Sequence, residues 1–370
     1  MAAGGASDPR RRLLDRHSSP AQALAAGPAA WRDCGLSPAQ VRDLAAGNAG
    51  PLPGRLANAQ VWLRQPGHHL LGWHHRDYPP LLRRGPNPPL ALFVAGDPAL
   101  LWHPAVAIVG TRAPTPAGAA NASTFSRALV RSGLAVTSGL AAGIDTAAHE
   151  ATLEAGGITV AVLGTGPDVP YPRGNARLLA RIAAQGAVVS EHLPGTSALK
   201  SHFPTRNRII AGLSLATVVI EAAWQSGALI TARLAAEAGR DVFALPGSIH
   251  NPMARGCHRL IRDGAALVEG AGEVIVALAP QAQALAQDLR TRLNAPIHRG
   301  DEVHGRAGED SAPEDADYHR LWLALGHDPT TMDELVTRTG LTAAAVSSML
   351  LLMELDGRVQ AQHGRYFRNR

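Results

Sequence analysis

The chain has 370 residues, 46% of them hydrophobic and only 4% aromatic, with a net charge of +5 and a pI near 9.8. That length allows one large domain with appendages or two to three domains, and the composition excludes a globally disordered chain. No stretch reaches the ~18 uninterrupted apolar residues of a membrane span, and the two cysteines, Cys34 and Cys257, are too far apart in sequence for a zinc cluster or a disulfide framework.

The first residues include "RRRLL", but Asp15, Arg16 and His17 stand where the apolar segment of an export signal would begin, so a cytoplasmic protein is expected. Residues 1–66 are Ala-rich and broken by Pro and Gly. Ser19 and Ser37, each followed by Pro, predict N-caps of short helices in a small helical domain. A Pro-rich loop and strand region follows, with His68, His69, His74 and His75. Those histidines lack neighbouring cysteines or ordered carboxylates and do not predict a metal site.

From residue 105 short β-branched runs alternate with segments of helical length: "VAIV", "LAVT", "ITVAVL", "AVVS", "ATVVIE", "DVFAL" and "AALV". Continuous apolar strands separated by helices predict a parallel sheet covered on both faces, here an extended Rossmann-like domain over residues 67–282. Residues 283–317 pass from a basic to an acidic stretch and have linker composition. Residues 318–370 read as helices followed by an alternating ribbon, a winged helix. The fold class is therefore α/β, with a small helical N-terminal domain and a C-terminal winged helix.

Ligands of open parallel sheets bind beyond the carboxyl ends of the strands. The loops there carry Gly110, Thr111 and Arg112, then Ser138 to Asp145 with Gly139, then Gly164 to Gly166, then Ser226, Gly227 and Thr231, then Pro246 and Gly247. Glycine admits close backbone approach and helix starts attract phosphate oxygens, so these loops together form a candidate phosphate-binding rim. Each glycine alone is equally explained by the turn it occupies. No GxGxxG follows the first strand of the series, and Lys200 lacks the glycines of a P-loop, which excludes the dehydrogenase and ATPase readings. Asp145 and His149, one helical turn apart, are read as helix-start stabilisers and not as an acid/base pair.

"LKSHFPTRNRIIAGLS", residues 199–214, holds the only lysine among 35 Lys and Arg residues. An ammonium is a compact point charge suited to phosphate oxygens. Phe203 offers a stacking face, Arg206 a countercharge and Asn207 a donor and acceptor for a base edge. Arg208 begins an apolar run and reads equally well as structural.

"AIVGTRAPTPAG", "SGLAAGIDTAAH", "FPTRNRIIAGLS" and "VVIEAAWQSGALITARLAAEAGRDVFALPG" resemble, in order, the signatures of the DNA processing protein A family, also called DprA or Smf. The resemblance spans roughly residues 75–275. It implies a protein without catalytic residues, metal or cofactor that binds single-stranded DNA, protects incoming DNA in natural transformation, forms a homodimer and loads the RecA recombinase. Carried onto this chain, the DNA-binding residues are Thr111, Arg112, Gly139, Gly166, Lys200, Phe203, Arg206, Asn207, Ser226 and Gly227. One departure is Gly256-Cys257-His258, where the family commonly has Gly-Thr-Asn.

Two other readings compete. A Rossmann-fold nucleoside monophosphate hydrolase would use Glu221 as its carboxylate, but the PGGxGTxxE stretch of such enzymes is absent. A ligand-sensing transcription factor would read bases with "TAAAVSSMLLLMELDG", which has no Lys or Arg. The ribbon arginines Arg358, Arg365, Arg368 and Arg370 could touch phosphates, and a protein-contact or regulatory role fits them equally well.

Overall fold

A computed structural model describes residues 7–46, 52–293, 317, 320–322, 324–325, 330–355, 359–362 and 365–368. The chain divides into two compact units, residues 1–295 and 296–370. Among the described residues no helix is long and apolar enough to cross a membrane.

The first unit opens with α1 (Ser7–Arg16), α2 (Pro20–Ala25), α3 (Gly27–Asp33) and α4 (Pro38–Ala46). Ser19 accepts from the Gln22 amide to cap α2, and Ser37 accepts from the Gln40 amide ahead of α4. Leu13, Trp31, Cys34, Leu36 and Val41 form the small core these helices share. The next helix, α5 (Leu52–Leu63), behaves differently. Its Trp62 and Ala59 pack with Phe93, Leu163 and Val188, so the helix belongs to the core of the sheet that follows.

That sheet has nine strands: β1 (His68–Gly72), β2 (Ala91–Gly96), β3 (Ala105–Val109), β4 (Ala135–Ser138), β5 (Thr159–Leu163), β6 (Ala187–Ser190), β7 (Ala216–Val219), β8 (Asp241–Ala244) and β9 (Ala266–Leu267). Their order is β1-β2-β6-β5-β4-β3-β7-β8-β9. The seven runs expected from residue 105 onward all pair in parallel. β1 and β2 add an antiparallel edge, making the sheet mixed. These two strands arrive before any crossover helix of parallel-strand length, and antiparallel pairing needs none.

Alternation explains why the central strands are apolar throughout. In β3, Val106 and Ile108 enter one core while Ala107 and Val109 enter the other, so neither face meets water. One face is covered by α7 (Pro116–Arg131) and α8 (Ile144–Glu154), which supply Phe125, Leu129 and Ile144. On the other lie α10 (His202–Leu213) and α11 (Gly227–Glu237) with Ile209, Ile210 and Ala232. The remaining helices are α6 (Pro80–Arg84), α9 (Ala176–Gln185), α12 (Arg255–Arg262) and α13 (Ala271–Leu293). α13 carries Pro280 inside it and continues past residue 282 to Leu293. Its Ala, Gln and Leu content sustains the helix beyond the one amide that proline removes.

The chain runs outward from β3 through β4 and β5 to β6, then returns through α10 to β7 on the other side of β3. The carboxyl ends of β3 and β7 therefore flank a topological switch point, the place where open α/β sheets leave a crevice.

In the second unit, α14 (Met332–Thr339) and α15 (Ala343–Leu355) pack with a sheet of order β10-β12-β11, where β10 is Thr330–Thr331, β11 Val359–Gln362 and β12 Arg365–Arg368. Leu335, Val346, Leu350, Met353 and Val359 form its core. Thr331 and Glu334 make a reciprocal capping box, and Gly340 ends α14 at φ +69. Helix, turn, helix and ribbon make a winged helix. Arg365 and Arg368 lie on β12; Arg358 and Arg370 lie outside the described residues.

Candidate functional site

A cleft of about 640 Å³ opens at the switch point. Thr111 and Arg112 reach it from the end of β3, Lys200, Phe203, Arg206 and Asn207 from the start of α10, and Ser226 and Gly227 from the start of α11. Eight of the ten expected site residues are thus brought together. Gly139 lines a smaller adjoining recess of about 110 Å³ with Arg112, Tyr171, Phe203 and Arg206.

Gly166 does not reach either space. It is buried where the loop after β5 folds against the segment after β6, and its amide donates to the Thr196 carbonyl at 2.9 Å. A Cβ there would lie 2.7 Å from the Leu193 carbonyl oxygen, so packing of protein against protein accounts for this glycine. Nor does the cleft include Pro246 or Gly247 of the loop after β8, so the rim is built from fewer loops than the sequence suggested.

The charged groups in the cleft fall into two kinds. Arg206 is only 5% exposed, and its Nη1 donates to the carbonyls of Gly139, at 2.7 Å, and Val162, while Nε donates to Asn207 Oδ1 at 3.2 Å. Its fork thus ties together the ends of β4 and β5. Burial pulls its pKa down to about 10, against the opposing pull of Asp145. Gly139 exists for this arginine: a Cβ would sit 2.5 Å from the guanidinium. Asp145 is buried too, accepting from the amides of Gly139 and Ala141 at 3.0 and 3.3 Å. Burial raises its pKa, with the Arg206 charge and those two donors opposing. His149 turns away, its Nδ1 2.7 Å from Thr159 Oγ1, so the two do not pair with each other.

Arg112 and Lys200 are the second kind. Both are exposed, and among the described residues neither has a carboxylate partner. Arg112 lies 5.8 Å from the centroid of the Phe203 ring, and Tyr171 leans on the same ring at 5.1 Å. Because Arg206 and Asp145 are of opposite sign, Arg112 and Lys200 leave the cleft with a cationic excess. Arg208, by contrast, pairs with Glu191 at 2.6 Å, which settles its structural reading.

Two further features shape the floor. Ser226 Oγ accepts from the Ala228 amide and caps α11, whose first residue Gly227 has nothing within 4 Å of a would-be Cβ. Its carbonyl accepts from Asn207 Nδ2 at 3.4 Å, joining the starts of α10 and α11. The positive end of the α11 dipole at this open start favours an anion. Thr231, expected in the rim, also lines the cleft, as do Gln225 and Tyr171, which were missed from the sequence. Tyr171 had a signal, being one of only four tyrosines and flanked by prolines, but it lies beyond the strand-end glycines of its loop.

Glu221 does not line the cleft. Its carboxylate accepts from Thr115 N at 2.9 Å, Thr115 Oγ1 at 2.6 Å and Asn251 Nδ2 at 3.3 Å, fixing the start of α7. At the family departure, Cys257 is fully buried under β7 with its thiol pKa pushed up to about 12 by burial, and His258 bonds the Gly247 carbonyl at 2.9 Å. The four N-terminal histidines are dispersed: His68 Nδ1 meets the Trp62 carbonyl and His74 Nε2 the Leu14 carbonyl.

Comparison with known proteins adds to this geometry. Residues 69–279 match the family described as DNA recombination-mediator protein A, and residues 305–365 match the DprA winged helix domain. The chain is 39% identical over 316 residues to Protein Smf of Escherichia coli strain K12, covering 85% of this chain and 81% of that one. It is similar to the X-ray structure of DNA processing protein A from Streptococcus pneumoniae, with a TM-score of 0.62 and 36% identity over 74% of this chain and 94% of that one. It is also similar to DNA processing protein A from Helicobacter pylori, a structure described for its single-stranded DNA binding mode, with a TM-score of 0.53 and 30% identity over 58% of this chain and 96% of that one.

Proposed function

The chain belongs to the DNA processing protein A family, and on that premise we propose that it binds single-stranded DNA in the cleft at the switch point. The observation that carries the reading is the pair of unpartnered cations, Arg112 and Lys200, in one cleft with the Phe203 ring and the open start of α11. Two cations and a helix start suit consecutive phosphates, and an aromatic ring suits a base face. None of these reads a base edge, so sequence preference is weak. Gly139, Arg206 and Asn207 support the site from beneath: the Arg206 fork joins the ends of β4 and β5, and Asn207 joins the starts of α10 and α11.

In the cell, the reading places the protein on incoming single strands during natural transformation, where it protects them and loads the RecA recombinase, acting as a homodimer. Family membership supports this, and the recombination-mediator description of the matched family agrees with it. A binding role without catalysis is favoured over nucleoside monophosphate hydrolysis by Glu221, whose carboxylate is engaged by three donors outside the cleft.

The test is a titration of fluorescently labelled oligo-dT with wild type and Lys200→Ala. The variant is expected to lose about tenfold in affinity, ~1.4 kcal/mol. Equal affinity of the two proteins would remove Lys200 from the site. Release of a free base from nucleoside monophosphates by wild type, abolished by Glu221→Gln, would replace the binding reading with the hydrolase.

A further inference from the structure

Next to the cleft, the loop bearing Tyr171 leads directly into a short 3-10 turn, Arg173–Asn175, and then α9. Asn175 anchors this junction, its Nδ2 donating to the Leu140 carbonyl at 3.0 Å and to Thr146 Oγ1 at 2.9 Å. α9 buries Leu178, Leu179 and Ile182. Its outer side carries Arg177 and Arg181, one helical turn apart, and Arg173 lies one turn ahead of them; all three are exposed.

Some exposed arginines on other helices are neutralised locally: Arg233 pairs with Glu237, Arg259 with Asp263 and Arg127 with Glu154. A solvated helix face ordinarily mixes its charges in this way. α9 has no acid within reach along its own stretch of chain. No Asp or Glu occurs between Asp168 and Glu191. Both of those acids are engaged elsewhere, Asp168 accepting from the Gly195 amide and Glu191 pairing with Arg208. Among the described residues Arg173, Arg177 and Arg181 have no carboxylate partner.

We propose that Arg173, Arg177 and Arg181 form a second backbone-binding surface, over which single-stranded DNA runs as it leaves the cleft past Tyr171. The proposal rests on the cleft being the primary site. Its occupant follows from charge and continuity: the ridge starts at the Tyr171 loop that lines the cleft, and it presents one sign of charge with no aromatic among the three residues. At 1.5 Å per residue the eight steps from 173 to 181 span about 12 Å, room for more than one phosphate of a single strand. The ridge contacts phosphates alone, so it lengthens the footprint without adding sequence preference.

The experiment uses the full chain and two labelled oligo-dT probes, one of about 6 nucleotides, comparable to a single-fold site, and one of about 30. Wild type is compared with Arg173→Ala/Arg177→Ala/Arg181→Ala and with the matching triple Lys variant across a salt series. The Ala variant is expected to bind the short probe like wild type and to lose at least about tenfold on the long one. Its long-probe slope of log K against log salt should shrink by about 2, three charges at about 0.7 each. The Lys variant should restore both, which separates charge from any folding defect; alanine itself favours the helix. Unchanged long-probe affinity and slope, or an equal loss on both probes, would overturn the ridge while leaving the cleft intact. Failure of wild type to bind either probe would instead overturn the cleft, and the ridge with it.

Discussion

Arg206 shows how a residue that looks like a ligand contact can be a strut. Its guanidinium donates to the carbonyls of Gly139 and Val162 and to Asn207, all of them buried. Arg206→Ala would strand those acceptors and leave Asp145 buried without its countercharge. We expect a loss of about 3 kcal/mol in urea unfolding, well beyond that of exposed Lys200→Ala, for which a change under about 0.5 kcal/mol is expected. Equal stabilities would mean that the fork is dispensable. His149 makes a second prediction. Burial lowers its pKa to about 3, while the unfolded chain titrates near the ordinary 6.5. The unfolded state therefore binds more protons between those values, and stability is present above pH 6.5 and lost as pH falls. From pH 7 to pH 5 the loss from this one residue is about 2 kcal/mol, and burial of His103 and His192 acts in the same direction. Unfolding of His149→Gln should show a shallower pH slope than wild type; an identical slope would contradict the account.

At the scale of elements, the starts of three helices do most of the building: α7 held by Glu221, α10 by the Arg206 fork within it, and α11 by Ser226. Ser226→Ala should cost about 1 kcal/mol of stability as a lost N-cap and also weaken oligo-dT binding, because the helix start it caps lines the cleft. A stability loss with unaltered binding would place the start of α11 outside the site. The parallel strands were legible because runs such as "VAIV" and "ITVAVL" bury both faces and so carry no polar alternation. The antiparallel edge was not, since "ALFVAG" is equally continuous and strand direction leaves no mark on composition. Lys200 and Phe203 stood out by residue type, the lone lysine beside an aromatic, and the Ser226-Gly227 turn by its place after a strand; the fold brings all of them to one cleft. The meaning of Gly139 was not, because its partner is 67 positions away in sequence. Gly166 was misplaced for the same reason: its demand for space comes from Leu193, on a segment that only the fold brings near.

For the whole molecule, the proposed site lies within the first of the two units. α15, where a winged helix would read bases, has no Lys or Arg and contains Glu354. Deleting residues 318–370 should leave affinity for single strands within tenfold of wild type, about 1.4 kcal/mol, whereas a larger loss would assign the winged helix a share of the site. The net charge of +5 is modest, so attraction to DNA depends on where the unpaired cations sit more than on their total. The most direct test of the central claim is fluorescence anisotropy of labelled oligo-dT with the full chain, across a salt series and against unlabelled duplex. Binding should weaken steadily as salt rises, because phosphate-bound counterions are released, and duplex should compete poorly. Binding that is absent, or that duplex of the same length displaces as readily as single strand does, would contradict a single-strand site in the cleft.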